Sequence, residues 1–148
     1  MSSRADSLAA LRQDLACIPG LELFGESADL KRLSRDSYDY SPVLEKRLEA
    51  CRADLVVRPA DASAVQHLAA ACARHRVPLT IRGAGTGNYG QCVPLDGGVV
   101  MLTGSLQRIR GIDPSTGVVT VEPGCLMRDL DAELRRHGRQ LRLLPSTW

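Results

Sequence analysis

The stretch from Asp54 to Arg82 constrains the fold of this chain more than any other. Leu55-Val56-Val57-Arg58 is a short apolar run ended by Pro59, and Leu79-Thr80-Ile81-Arg82 is a second one. Between them Val65, Leu68, Ala69 and Cys72 recur at i, i+3, i+4 and i+7, the spacing of one apolar helix face. Ser63-Ala64-Val65-Gln66 fits a capping box for that helix, which ends near His75, before Val77-Pro78. Strand, amphipathic helix and strand within about thirty residues make a βαβ unit, so the two strands are expected to run parallel. A third strand, Val99–Leu102, is expected to join them in one sheet spanning 54–58, 78–82 and 98–102.

Elsewhere the patterning is less dense. Leu8, Leu11 and Leu15 give residues 5–17 a helical spacing that Pro19-Gly20 stops. Residues 20–53 are mixed, with a short helix around Pro42–Cys51, and 1–53 reads as a helical lead-in. Arg108–Ile112 and Val118–Glu122 flank Asp113–Gly117 as an antiparallel hairpin. Leu126, Leu130 and Leu134 mark a helix closed by Gly138. Gln140–Leu144 reads as a last strand before Pro145-Ser146-Thr147.

Composition removes several functions. Of the 148 residues 44% are hydrophobic and 24% charged, which describes a globular chain with its own core. A net charge of +2 is too small for a nucleic-acid binder. No apolar run approaches the length of a membrane helix, and the start of the chain lacks the apolar stretch of a secretory signal. Five cysteines without a C-x-x-C spacing argue against a disulfide framework or zinc site, and a cytoplasmic location follows as the expectation. His67, His75 and His137 lack metal-ligand spacing, so no metal site is expected. Arg135, Arg136, Arg139 and Arg142 with His137 read as a solvated helix end.

The chief functional signal is Gly83, Gly85, Gly87 and Gly90, four glycines within eight residues. Glycine lets successive backbone N–H groups approach a ligand and form an anion nest suited to a phosphate or diphosphate. The bland alternative is a flexible connection between strands. Gly85–Gly90 matches G-x-G-x-x-G, but it leads into Gln91–Gly98, which cannot form the helix that a Rossmann site needs. No G-K-[ST] follows, which excludes a P-loop. Arg82, at the strand end, could pair with a phosphate or with a carboxylate. Tyr89 could stack on a ligand or cover the loop.

Arg58-Pro59, Pro78–Gly87, Val93–Val100 and Val121-Glu122-Pro123-Gly124 occur in an order that resembles the FAD-binding domain of the vanillyl-alcohol oxidase / p-cresol methylhydroxylase type. The branch with glycolate oxidase FAD subunits and D-lactate dehydrogenases is the most similar. The resemblance is specific over Asp54–Thr147 and weaker from Leu30, where Ser34-Arg35-Asp36-Ser37-Tyr38 is similar to the family's lead-in. It implies an α+β fold of the p-cresol methylhydroxylase type. A small parallel subdomain containing the βαβ unit would be followed by the beginning of a second, mainly antiparallel one, both within 54–148.

The resemblance also implies a cofactor site. Arg82, Gly83, Ala84, Gly85, Thr86, Gly87 and Asn88 would lie at the FAD diphosphate, Gln91 and Pro94 nearby, and Pro145, Ser146 and Thr147 near the flavin. Residues 83–91 contain no His for covalent attachment, so FAD is expected to be held non-covalently, with Cys92 the nearest nucleophile. The implied function is the FAD-binding portion of an oxidoreductase for a 2-hydroxy acid or similar alcohol, with no catalytic residue in this stretch. A missing C-terminal half or a complementing chain is the expected partner. The alternatives are a non-catalytic FAD- or nucleotide-binding module and an inactive truncated product.

Overall fold

The computed structural model describes residues 3–144. The elements in chain order are α1 (Arg4–Ala16), β1 (Leu21–Phe24), α2 (Ser27–Leu33), a 3-10 turn (Tyr38–Tyr40), α3 (Pro42–Leu48), β2 (Leu55–Pro59), α4 (Ala62–His75), β3 (Leu79–Arg82), β4 (Val99–Leu102), β5 (Ile109–Ile112), β6 (Val119–Val121) and α5 (Met127–Arg136).

Val99–Leu102 is apolar and buried at every position, a pattern suited to a strand covered on both faces. It takes the centre of a four-stranded sheet of order β1-β2-β4-β3. β4 runs parallel to β2, with Leu55 opposite Val99, and parallel to β3, with Leu79 opposite Val99. The three expected strands therefore form one parallel sheet. Alternation sorts their side chains into two cores. Leu55, Val57, Val99 and Met101 face α1 and α4 through Leu11, Leu15, Leu68 and Cys72. Val56, Val100 and Leu102 face Leu33 and Leu30 of α2.

Several local expectations are corrected. Asp61 caps α4, its carboxylate accepting the Ala64 N–H at 2.8 Å, whereas Ser63 Oγ contacts His67 inside the helix. The helix therefore starts two residues earlier than expected, with the carboxylate of Asp61 rather than the Ser63 hydroxyl as its N-cap acceptor. The buried face of α4 is Ala64, Leu68, Ala71 and Cys72, while Ala69 points outward. The mixed region 20–53 contains β1, which adds an antiparallel edge through Leu21↔Pro59 and Phe24↔Val56. It also contains α2, which covers the sheet.

β5 and β6 pair antiparallel as a separate two-stranded sheet, with a register shift between Ile109 and Gly111. Asp113 organises their turn by accepting from Ser115 Oγ (2.6 Å) and Thr116 Oγ1 (2.7 Å) and from both backbone N–H groups. Those bonds, the Ser115 hydroxyl first, hold its carboxyl well below the usual range. α5 ends in a Schellman motif. Gly138 sits at φ +65° and the Arg139 N–H returns to the Leu134 carbonyl at 2.9 Å. Gln140–Leu144 is not a strand. No described strand offers it a ladder, because β5 and β6 bond only to each other.

Glu122 ties the hairpin together. It is nearly buried and accepts from the Arg108 N–H (2.8 Å), Arg108 Nε (3.0 Å) and Arg110 Nη2 (2.6 Å). The Arg108 backbone N–H foremost holds its carboxyl below the ordinary glutamate range. A carboxyl whose pKa falls on folding stabilises the fold above its unfolded value, and that contribution fades as pH drops. Denaturation as a function of pH should therefore show stability lost on acidification below the ordinary glutamate range. Glu122→Gln should be less stable at neutral pH and should lose part of that dependence. An unchanged profile would remove the bond set from the fold's energetics.

Gly98 bridges two strands at φ +78°, and a Cβ there would run into the backbone carbonyl of Pro78. Gly98→Ala should cost about 2 kcal/mol in urea unfolding, from strain at a left-handed residue and a collision with backbone.

Candidate functional site

Because β2, β4 and β3 are parallel, their carboxyl ends share one edge, where open α/β sheets bind ligands. Gly83–Gly98 leaves β3 at this edge and Thr103–Leu106 leaves β4. A cleft of about 390 Å³ opens between them, lined by Arg32, Arg58, Arg82, Gly83, Ala84 and Ser105. Three arginines and a glycine-rich backbone give it the character of an anion site.

The loop itself supplies the donors. Among the described residues, none of the six consecutive backbone N–H groups from Gly83 to Asn88 donates a hydrogen bond to protein. The next N–H, that of Tyr89, is held by Gln91 Oε1 at 3.1 Å. Backbone donors are nearly always paired when they are shielded from water. Six in succession without a protein acceptor are left to water or to a ligand.

The loop's shape is fixed from beneath. The Gly87 carbonyl accepts the Ser37 N–H at 2.8 Å, and the Gly90 carbonyl accepts that of Val93 at 3.2 Å. Gly85 and Gly90 need glycine for conformation, at φ +72° and +80°. At Gly87 a Cβ would stand 2.5 Å from Gln91 Oε1, the end of a flexible side chain that can shift. Gly83 faces open space.

Arg82 lies under this loop, its guanidinium in the place that a Gly85 side chain would take. Its Nη1 donates to the Arg35 carbonyl and to Cys92 Sγ at 3.1 Å. Among the described residues it forms no ion pair, so the carboxylate alternative for Arg82 is not what the fold adopts. Burial pushes the Cys92 thiol up, with the Arg82 charge a weaker opposing influence, so Cys92 is a poor nucleophile at neutral pH.

The remaining expected site residues divide. Ala84, Thr86, Asn88 and Gln91 are exposed on the loop. Pro94 is fully buried and can only shape the loop's base. Tyr89 is 70% exposed and covers little. Pro145, Ser146 and Thr147 lie outside the described residues. In the basic cluster on α5, Arg135 pairs with the buried Asp131 and Arg136 with the more exposed Glu133. Among the described residues no group of His, Cys, Asp or Glu is arranged to hold a metal, and no helix is long and apolar enough to cross a membrane.

Sequence reasoning did not place Arg32, Arg58 or Ser105 at the site. Arg58-Pro59 at a strand end was an available signal. Arg32 and Ser105 reach the cleft only through tertiary packing.

A parallel sheet with a glycine-rich loop at its carboxyl edge is an α/β unit of the kind that binds ligands at that edge. Residues 53–148 match the family described as FAD binding domain, and the chain belongs to it. It is 31% identical over 128 residues to glycolate oxidase subunit GlcD of Bacillus subtilis (strain 168), covering 86% of this chain and 26% of that protein. It is 29% identical over 87 residues to a D-lactate dehydrogenase of Anaerostipes hadrus, covering 59% of this chain and 18% of that protein. The chain thus spans about a quarter or less of these relatives' lengths. Its fold is similar to 4-ethylphenol oxidase from Gulosibacter chungangensis (TM-score 0.76, 21% identity, 97% of this chain and 27% of that one). It is also similar to p-cresol methylhydroxylase (TM-score 0.69, 17% identity, 92% of this chain and 26% of that one). The α+β fold of the p-cresol methylhydroxylase type is therefore the fold of this chain.

Proposed function

We propose that this chain holds the diphosphate of a non-covalently bound FAD in an FAD-linked oxidoreductase acting on a 2-hydroxy acid or a similar alcohol. The observation that carries the reading is the run of six open N–H groups from Gly83 to Asn88 above Arg82. A diphosphate diester carries two negative charges spread over adjacent groups, which suits a run of donors better than a single point contact.

In this reading Gly83, Ala84, Gly85, Thr86, Gly87 and Asn88 donate from the backbone, and Arg82 adds positive charge from below. Gln91 and Pro94 shape the far side of the loop, and Pro145–Thr147 approach the flavin. FAD supplies the two-electron acceptor when bound; the chain's residues bind and orient it. No residue of 3–144 is given a part in handling substrate. Non-covalent attachment is supported by the lack of His in 83–91 and by the buried thiol of Cys92. The 2-hydroxy acid class rests on relatives named for glycolate, D-lactate and D-2-hydroxyglutarate, each a 2-hydroxy carboxylate.

Titration with FAD, followed by flavin fluorescence into the millimolar range, tests the site. Gly85→Asp should weaken binding by more than about tenfold, because it adds a charge to the nest and a side chain against Arg82. Arg136→Ala, remote on α5, should leave it unchanged. Equal retention of flavin by the two variants would remove the loop from the site.

A further inference from the structure

The segment Arg35–Tyr38, ahead of the sheet in sequence, docks beneath the glycine loop. The Arg35 carbonyl takes Arg82 Nη1, and the Ser37 N–H holds the Gly87 carbonyl. Between them stands Asp36. Its Oδ1 accepts the Tyr38 N–H at 3.0 Å, but Oδ2 is shielded from solvent and has no hydrogen-bond partner. That oxygen would lie 3.4 Å from a Cβ placed on Gly87, and Gln91 Oε1 would lie 2.5 Å from the same point. Two acceptors therefore stand close to Gly87, and one of them lacks a donor in the protein.

An unsatisfied carboxylate oxygen out of water is costly, and where a fold retains one it asks for a donor. No bond links Arg82 to it; Arg82 Nη1 donates instead to the Arg35 carbonyl and Cys92. A phosphate cannot supply it either, because two negative charges in a poorly screened site repel. A neutral O–H carried next to the diphosphate would satisfy Oδ2 without adding negative charge. Gln91 is exposed and anchored only through the Tyr89 N–H, so its amide can swing aside to admit one.

We propose that Asp36 is a specificity-determining residue that accepts a polyol or sugar hydroxyl adjoining the ligand's diphosphate. Its charge at the same time opposes inorganic phosphate and pyrophosphate. The nest alone would take any polyanion; Asp36 adds a penalty that only a hydroxyl-bearing diphosphate ester offsets. This inference rests on the FAD reading above.

The test compares two ligands on the full chain, FAD by fluorescence and inorganic pyrophosphate by calorimetry. Asp36→Asn keeps an acceptor for the Tyr38 N–H and removes the charge. It should weaken FAD by about tenfold and tighten pyrophosphate by about threefold, a crossing that a purely structural role would not produce. Asp36→Ser should cross in the same direction. Parallel weakening of both ligands, or no change in either, would overturn the proposal. Loss of cooperative unfolding in both variants would assign Asp36 to the fold instead and equally overturn it. Wild-type binding of both ligands without a crossing in the variants sinks the Asp36 assignment alone. Failure of the wild-type chain to take up FAD sinks the flavin reading beneath it.

Discussion

Everything at the site follows from the insertion of β4 between β2 and β3. Parallel neighbours cannot be joined by a tight turn, and the return from the end of one strand to the start of the next usually employs a helix. Between β2 and β3 the chain uses α4. Between β3 and β4 it uses Gly83–Gly98, which contains no helix at all. That connection must turn at the carboxyl edge, descend through buried Cys92, Val93 and Pro94, and reverse at Gly97-Gly98, both left-handed. Without helix hydrogen bonds inside the connection, its upper half has N–H groups to spare. The demand of parallel pairing and the open N–H groups of the loop are one feature seen from two sides.

The lead-in segment makes that loop a defined shape. Ser37 fixes Gly87, Arg35 fixes Arg82, and Tyr38 packs with Leu48 and Val93 in a small core of its own. Ser34 Oγ accepts the Ala53 N–H at 2.8 Å, so the same stretch is stitched to the start of β2. Charge is arranged similarly. Net charge is only +2, yet three arginines face one cleft. Arg58 is paired with Glu22 and rests on Phe24, and Arg32 is paired with Asp29. Exposed pairs of this kind are weak, so both arginines remain available to an incoming anion at small cost.

What the sequence made legible were the elements whose period is long or whose surroundings leave no choice. β2, α4, β3 and β4 were readable because each carries a clean apolar pattern and tight punctuation. β1 was not, because Leu21-Glu22-Leu23-Phe24 is four residues of alternation and owes its existence to an open edge on β2. α2 was not, because it spans two turns and its N-cap Glu26 makes no side-chain capping bond; packing of Leu30 and Leu33 on the sheet sustains it. Gln140–Leu144 misled in the other direction, since an apolar run becomes a strand only where a partner offers hydrogen bonds. At the site the glycines and the strand-end Arg58 could be read locally, whereas Arg32 and Ser105 arrive by tertiary packing.

The four loop glycines also show why glycine density alone underdetermines a site. Gly85 and Gly90 are favoured by backbone angle, Gly87 lies close to Gln91 and Asp36, and Gly83 has open surroundings. A flexible connection would need none of these to be specific. Two of the loop's residues hold left-handed backbone angles that glycine adopts without strain. The third glycine stands close to two acceptors, and the fourth lines the cleft with open space around it. The same residue type thus answers different local demands along one loop, and only its two left-handed positions are ones where the backbone itself selects glycine.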